Sequence, residues 1–291
     1  MTILVTGSSG FIGSNMIKYL ENKKVKFIGI DKIKNPYFNL KKFYKLNLLN
    51  KKKLERLINK KKIKHIIHLA AIPGFVNCHK NPELAFKNNI EATFNLIYVA
   101  NKYKVKNILI ASSMGVNNFE NNPGIYSFTK LVCEKMGKTY SSINSIKIKI
   151  CKISNVFGPY SAHKSSVVHV FIKKILKDQK LLIHKNGKQE RDFIYVDEVC
   201  ERLYRGLFKN STKDIAINTN KFLRVLDIKN MLHRISNKKI VCSYVSTPKG
   251  YDDTIYYKPL MKKNQNFIKI LEKTFNWYFI YVIIPFDIGI F

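Results

Sequence analysis

A chain of 291 residues, 46% of them apolar, can hold one large α/β domain and a smaller second one, and it is neither disordered nor fibrous in composition. Its formal charge of +33 rests on 52 basic residues, only six of which are arginine. The lysines lie in pairs and triplets along the whole chain, from Lys23-Lys24 to Lys238-Lys239, which reads as solvated basic faces; a nucleic-acid surface would draw on clustered arginine and aromatic residues, so nucleic acid is not the expected partner.

The chain opens on Ile3-Leu4-Val5, a short buried strand, followed by Gly7, Gly10 and Gly13 and then by an amphipathic helix from Phe11 to Glu21. A strand, a glycine turn and a helix start form a cradle for a pyrophosphate, because the turn brings backbone amides and the positive end of the helix to the anion. The second strand, Val25–Ile30, ends in Asp31. An acidic residue there suits the ribose hydroxyls of NAD and repels the extra phosphate of NADP. A lysine-rich helix over 49–59 is followed by a third strand, Lys64–Ala71, whose His68 reads as a satisfied core histidine. Asn81-Pro82 starts a helix that runs to Tyr103, and a fourth strand, Asn107–Ala111, ends in Ser112-Ser113. A long helix covers Tyr126–Ser142, and a fifth strand is Ile146–Ile153. Strands alternating with helices in this way predict a Rossmann-like, doubly wound parallel sheet.

The rest is less regular. Helices are expected over 165–177, 197–208, 226–235 and 267–278, with strands over 181–184, 215–218 and 240–245. These form a smaller C-terminal α/β substrate lobe, so the expected division is an NAD-binding domain over 1–160 and a substrate-binding lobe over 161–291, with some elements returning to the first domain. Cys78, Cys133, Cys151, Cys200 and Cys242 show no metal-ligand spacing, and reduced thiols without a metal site are expected. Met1 leads straight into the first strand, and the late apolar run Trp277–Phe291 is too short and too interrupted to span a bilayer, so a cytoplasmic protein without a membrane span is expected.

Tyr126-Ser127-Phe128-Thr129-Lys130 places a phenol and an ammonium one turn apart on one helix face. The ammonium is expected to lower the phenol's pKa and make it a usable base, with oxidised nicotinamide adding to the effect. Ser113 could hydrogen-bond the same substrate oxygen.

With these residues in place the chain resembles the extended short-chain dehydrogenase/reductase family, in particular its NAD-dependent nucleotide-sugar epimerases and dehydratases. The resemblance is carried by VTGSSGFIGS at the start, Asp31, HLAA at 68–71, NNIEATFNL at 88–96, ASS at 111–113, YSFTK at 126–130, SNVFGP at 154–159 and GKQERDFIYVDEV at 187–199. It implies that Gly7, Gly10, Phe11, Ile12 and Gly13 hold the NAD pyrophosphate, that Asp31 takes the adenosine ribose and that Asn47 lies near the adenine. Leu69, Ala70 and Ala71 would line the cofactor cleft, and Asn89 would brace the site. Ser113, Tyr126 and Lys130 would be the catalytic set, with Lys130 also on the nicotinamide ribose. Asn155 and Arg191 would meet the sugar diphosphate; the alternative for Arg191 is an ion pair with Asp192 or Asp197. The resemblance also implies a homodimer through the helices of 82–103 and 126–142.

In the dehydratases of this family an acidic pair follows the serine and drives loss of water, whereas here Met114-Gly115 follows Ser113. The expectation is therefore a 4-epimerase acting through a transient 4-keto sugar, on a UDP-sugar. The alternatives are a dehydratase, decarboxylase or reductase of the same family, or a protein of this fold whose catalysis has lapsed and which binds RNA or acts as a scaffold. Two departures stand out. Ser113 and Tyr126 are thirteen positions apart, closer than in most extended members, and the region between Asp253 and Trp277 is shortened before an apolar tail over 283–291.

Overall fold

In a computed structural model that describes residues 2–121, 123–211, 213–246 and 265–283, the elements follow in this order. The first half is β1 (Ile3–Thr6), α1 (Phe11–Asn22), β2 (Phe27–Asp31), β3 (Phe43–Lys45), α2 (Lys51–Lys60), β4 (His65–His68), α3 (Phe75–Lys80), α4 (Pro82–Ala85), a π-helical turn (Phe86–Glu91), α5 (Ala92–Lys102), β5 (Asn107–Ser113), a 3-10 turn (Met114–Asn118), α6 (Ile125–Ile143) and β6 (Lys147–Ile153). Then come β7 (Asn155–Phe157), α7 (Val167–Leu176), β8 (Leu181–His184), β9 (Glu190–Tyr195), α8 (Val196–Phe208), β10 (Ile215–Ile217), β11 (Phe222–Arg224), α9 (Val225–Ser236), β12 (Cys242–Val245), α10 (Gln265–Tyr278) and a closing π-helical turn (Phe279–Ile283). The shortened stretch after Asp253 and the apolar tail beyond Ile283 lie outside the described residues.

The chain divides into two units. The first comprises Met1–Ser154 and Asp197–Ile217. Its seven strands pair in the order β10-β6-β5-β4-β1-β2-β3, all parallel. A parallel sheet covered on both faces must be apolar on both, and Ile3, Leu4, Val5, Ile66, Ile67, Ile108 and Leu109 are all fully buried. Strand order reverses between β1 and β4, and the crevice beyond the carboxyl ends of strands at such a reversal is where open α/β sheets bind ligands. β4 stops at His68 and not at Ala71, because the Leu69 and Ala70 amides turn to the Thr6 hydroxyl, each at 3.2 Å. The expected helix over 82–103 is interrupted by the π-helical turn, and β3 adds an edge strand that its three residues did not advertise.

A buried lysine closes this unit. Lys149 on β6 donates to the carbonyls of Gly206 (2.7 Å), Leu207 (3.2 Å) and Lys209, and so caps the C-terminal end of α8 with a cation.

The second unit comprises Asn155–Val196 and Asn218–Phe291. It holds a three-stranded sheet, β11-β9-β7, and a two-stranded parallel sheet, β12-β8. Phe157, Ile172, Ile183, Phe193, Leu232 and Leu271 belong to its core. Within it the Asp192 carboxylate accepts the Thr219 amide and hydroxyl, each at 3.0 Å, and the Asn220 amide at 2.6 Å, which pins β9 to the turn before β11. Tyr278 is fully buried, and its hydroxyl donates to the Ser161 carbonyl at 2.7 Å, anchoring α10.

Candidate active site

The glycine turn is held by close contact. Gly7 has φ +69, and a Cβ on it would stand 2.7 Å from the Ala70 amide nitrogen. A Cβ on Gly13 would stand 1.9 Å from the Gly7 carbonyl oxygen. Neither position can carry a side chain while α1, the turn and the end of β4 keep this spacing. Gly10 is the N-cap of α1 and offers no side chain to the helix end, Phe11 and Gly13 are buried, and Ile12 is half-buried. This backbone cradle, with the helix dipole behind it, fits a dinucleotide pyrophosphate.

Asp31 closes β2 beside that turn. Its carboxylate accepts the Ser9 amide at 3.0 Å and the Ile33 amide at 3.3 Å. Burial raises its pKa, and those two hydrogen bonds oppose the rise. Asn47 is exposed just past β3, where its Oδ1 accepts the Leu49 amide at 3.0 Å. Leu69, Ala70 and Ala71 are half-buried at the end of β4.

A directed chain of hydrogen bonds runs from β1 to α6. Thr93 donates its hydroxyl to the Asn89 carbonyl at 2.5 Å, so it must accept at 2.9 Å from His68 Nε2. His68 therefore carries its proton on Nε2, and its Nδ1 accepts the Thr6 hydroxyl at 2.7 Å. This is a neutral, fully satisfied core histidine, as the sequence suggested. Burial, with Lys130 adding to it, lowers its pKa to about 3. Farther along, Asn89 Nδ2 donates to Thr129 Oγ1 at 3.0 Å, and Thr129 donates to the Tyr126 carbonyl at 2.8 Å. Asn89 also accepts the Ile72 amide at 2.7 Å through Oδ1. It lies in the π-helical turn, whose extra residue shifts the side-chain register of the helix at this point.

Ser113 ends β5 and accepts the Gly115 amide at 3.2 Å, which starts the 3-10 turn. That turn touches the start of α6, since a Cβ on Gly115 would lie 3.5 Å from Ser113 Oγ and 3.4 Å from Ser127 Oγ. Lys130 is buried, donates to the Ala111 carbonyl at 2.8 Å, and has its Nζ 5.9 Å from the centroid of the Tyr126 ring. Ser113, Tyr126 and Lys130 are thus carried by β5 and α6, two elements tied together at Ala111.

One expectation needs correcting. The Tyr126 phenol is raised above its ordinary range, not lowered: burial is the main cause, and the Cys78 and Cys133 thiols add to it. Lys130 is itself lowered by burial, and its hydrogen bond goes to a backbone carbonyl. The ammonium alone does not make a phenolate here.

In the second unit, Asn155 on β7 donates to the Asp192 carbonyl at 3.2 Å, and Arg191 on β9 donates through Nη1 to the Glu190 carbonyl at 2.8 Å. Both side chains line one cavity together with Ser166, His184, Lys185 and Gln189. Asp192 faces the Thr219–Asn220 turn.

A model of the NAD dependent epimerase/dehydratase family matches residues 3–218. The chain belongs to this family. It is 30% identical to a dTDP-D-glucose 4,6-dehydratase of Dictyostelium discoideum over 231 residues, 68% of this chain and 53% of that one. It is 25% identical to a UDP-glucuronate 4-epimerase of Thermodesulfobacterium geofontis over 300 residues, 94% of this chain and 90% of that one. The structure of a UDP-glucuronic acid 4-epimerase from Bacillus cereus, in complex with UDP-glucuronic acid and NAD, superimposes with a TM-score of 0.80 at 25% identity, covering 95% of this chain and 98% of that one. The Rossmann-like fold and the NAD dependence expected from the sequence are those of this epimerase/dehydratase family. Among the described residues no helix is long and apolar enough to cross a membrane.

Several residues of the site went unread in the sequence. Thr6, Thr93 and Thr129 complete the chain of hydrogen bonds around His68 and Asn89. Glu134 and Lys152 meet behind Ser112 at 3.4 Å. Glu134 had a signal, since it continues the four-residue spacing of Tyr126 and Lys130 along one helix face. The threonines had none, because a hydroxyl that bridges elements far apart in sequence leaves no local pattern.

Proposed function

We propose that this member of the family is a nucleotide-sugar 4-epimerase that acts through a transient 4-keto sugar, with a UDP-sugar as substrate. The carrying observation is the make-up of the site after β5: a hydroxyl donor at Ser113, a phenol and an ammonium on α6, and Met114-Gly115 where an elimination would need carboxyl groups. The dehydratase among the relatives makes this local chemistry, and not the likeness alone, the basis for the choice.

Tyr126 takes the proton of the sugar 4-hydroxyl and returns it after the ring has turned over. Ser113 already accepts the Gly115 amide, so its own proton is available for the sugar 4-oxygen. Bound NAD supplies the hydride acceptor for the forward step and the donor for the return. The cofactor would be held by Gly7, Gly10, Phe11, Ile12 and Gly13 at the pyrophosphate, by Asp31 at the adenosine ribose, with Asn47 near the adenine and Leu69, Ala70 and Ala71 along the cleft. Lys130 would hold the nicotinamide ribose, and Asn89 braces the helix that carries the base. Arg191 and Asn155 take the sugar diphosphate, where a planar guanidinium can bind two oxygens at once.

We place the enzyme in the cytoplasm, in keeping with five unpaired thiols. The proposed assembly is a homodimer through α5 and α6, whose Phe94, Tyr98 and Phe128 are each more than a third exposed. Light scattering of the purified chain reads the assembly directly. Incubating the protein with UDP-, dTDP- and GDP-sugars and resolving products by NMR tests the activity. Conversion of a UDP-sugar to its 4-epimer supports the reading; a 4,6-dehydrated or decarboxylated product refutes it.

A further inference from the structure

We propose that Glu134 is a positioning residue for the site: its buried carboxylate fixes the strand end that carries Ser113 in register with the helix that carries Tyr126 and Lys130. The proposal rests on the reading of Ser113, Tyr126 and Lys130 given above. Glu134 is 3% exposed. A carboxylate removed from water so completely persists only where its oxygens are satisfied, and an apolar residue of similar size would fill the same space at less cost. Both oxygens are used, and both reach out of α6. Oε1 accepts the Ser112 hydroxyl at 2.5 Å, and Oε2 lies 3.4 Å from the Lys152 ammonium.

The two contacts act on one feature from two directions. Ser112 and Lys152 are register partners on β5 and β6, so the carboxylate sits across the ends of two neighbouring strands. Adjacent strand residues point to opposite faces, so the bond to Ser112 holds the strand end while leaving the Ser113 hydroxyl uncommitted to Glu134. The second contact extends farther. Lys152 also donates to Asn117 Oδ1 at 2.7 Å, inside the 3-10 turn that begins on Ser113. One carboxylate thus reaches Ser113 from the residue before it directly, and from the turn after it through Lys152. On the helix side, Glu134 is one turn beyond Lys130, and the Lys130 bond to the Ala111 carbonyl is a second tie between the same two elements. Two ties one turn apart fix the rotation of α6 as well as its distance from β5, and rotation is what sets where Tyr126 points.

The test uses the full chain and three variants, Glu134→Ala, Glu134→Gln and Lys152→Met. A displacement of the reacting groups by about 1 Å can cost about 10²-fold in rate, so Glu134→Ala should lower kcat by up to about that factor while KM and NAD affinity stay near the wild-type values. Glu134→Gln keeps an acceptor for Ser112 and should recover most of the rate. Lys152→Met should speed amide hydrogen exchange at Gly115 and through Phe119 without changing exchange in α1. If Glu134→Ala does not fold, Glu134→Gln and Lys152→Met carry the test alone, since both replacements are close in size to the side chains they replace. Parallel losses of kcat, NAD affinity and thermal stability in every variant, or unchanged exchange from Gly115 to Phe119 in Lys152→Met, would overturn the proposal. A wild-type chain that turns over no UDP-sugar refutes the activity reading, and the exchange measurement still judges the positioning role.

Discussion

The Lys130 ammonium gives its hydrogen bond to the Ala111 carbonyl, 2.8 Å away, and lies 5.9 Å from the centroid of the Tyr126 ring. Burial raises the phenol and lowers the ammonium, so both groups are pushed toward their neutral forms. A base of this kind must lose its proton before it can act, and activity should rise with pH through the titration of Tyr126 in the loaded enzyme. Tyr126→Phe should cut kcat by about 10²–10⁴-fold with NAD affinity retained. Lys130→Met removes the nearby cation that favours phenolate, so the acid limb of the kcat/KM profile should move to higher pH. An acid limb that stays in place would mean that Lys130 has no electrostatic part in activating the phenol.

His68 makes a prediction about stability. Its folded pKa is about 3, against an ordinary value of 6.5. Above pH 6.5 the imidazole is neutral in both states and costs nothing. As pH falls toward 3, the unfolded chain binds a proton that the folded chain excludes, so stability is lost at about 1.4 kcal/mol per pH unit. His65 and His169 are also lowered by burial and contribute in the same direction, whereas Asp31, raised by burial, contributes in the opposite one. The comparison is therefore His68→Asn against wild type in thermal unfolding from pH 7 to 4. The variant should be the less stable at pH 7, and the gap should narrow on acidification. A gap that stays constant with pH would show that His68 takes up its proton as readily in the fold as in the unfolded chain.

The sequence disclosed most where a local pattern and a tertiary role coincide. Ile3-Leu4-Val5 is apolar at every position because both faces of a central parallel strand are covered, and the glycines follow at once because the chain must turn there. Tyr126 and Lys130 show themselves by helix spacing. The three-residue strands β7 and β11 are too short to carry a period, and β9 begins Glu-Arg-Asp, which reads as surface. Asp192 is nonetheless buried there, because the Thr219 and Asn220 amides meet its charge. The π-helical turn at Phe86–Glu91 was hidden for a different reason: its composition is that of an ordinary helix, and the extra residue is stabilised by what Asn89 and Thr93 touch.

The glycine turn can be tested by adding a single methyl group. At Gly13 the new Cβ would fall 1.9 Å from the Gly7 carbonyl oxygen, a backbone atom that can move only by reshaping the turn. Gly13→Ala should weaken NAD binding by at least about tenfold, the loss of about 1.4 kcal/mol of binding energy. Gly10→Ala is the control, because its Cβ would lie 3.3 Å from the same oxygen and asks for a far smaller shift. Titration calorimetry with NAD separates the two. Equal affinities for both variants would show that the close contact between Gly13 and the turn does not shape the cofactor cradle.

Arg191 lines the cavity of the second unit and donates through Nη1 to its neighbour's carbonyl at 2.8 Å. If its guanidinium takes the substrate diphosphate, both charge and planarity matter. Arg191→Lys keeps the charge and loses the two-pronged donor, whereas Arg191→Ala loses both. Hydrogen bonds to charged groups contribute about 1.5–3 kcal/mol, so Arg191→Ala should weaken UDP binding by about 10–100-fold, with Arg191→Lys between it and wild type. NAD affinity should not change in either variant. The competing role, an ion pair with Asp192 or Asp197, predicts a different result: thermal stability would fall and UDP affinity would hold. Asp192 accepts three donors from Thr219 and Asn220, which tie its carboxylate to the turn before β11. A graded loss of UDP affinity across wild type, Arg191→Lys and Arg191→Ala, at constant melting temperature, is the outcome that the diphosphate role predicts.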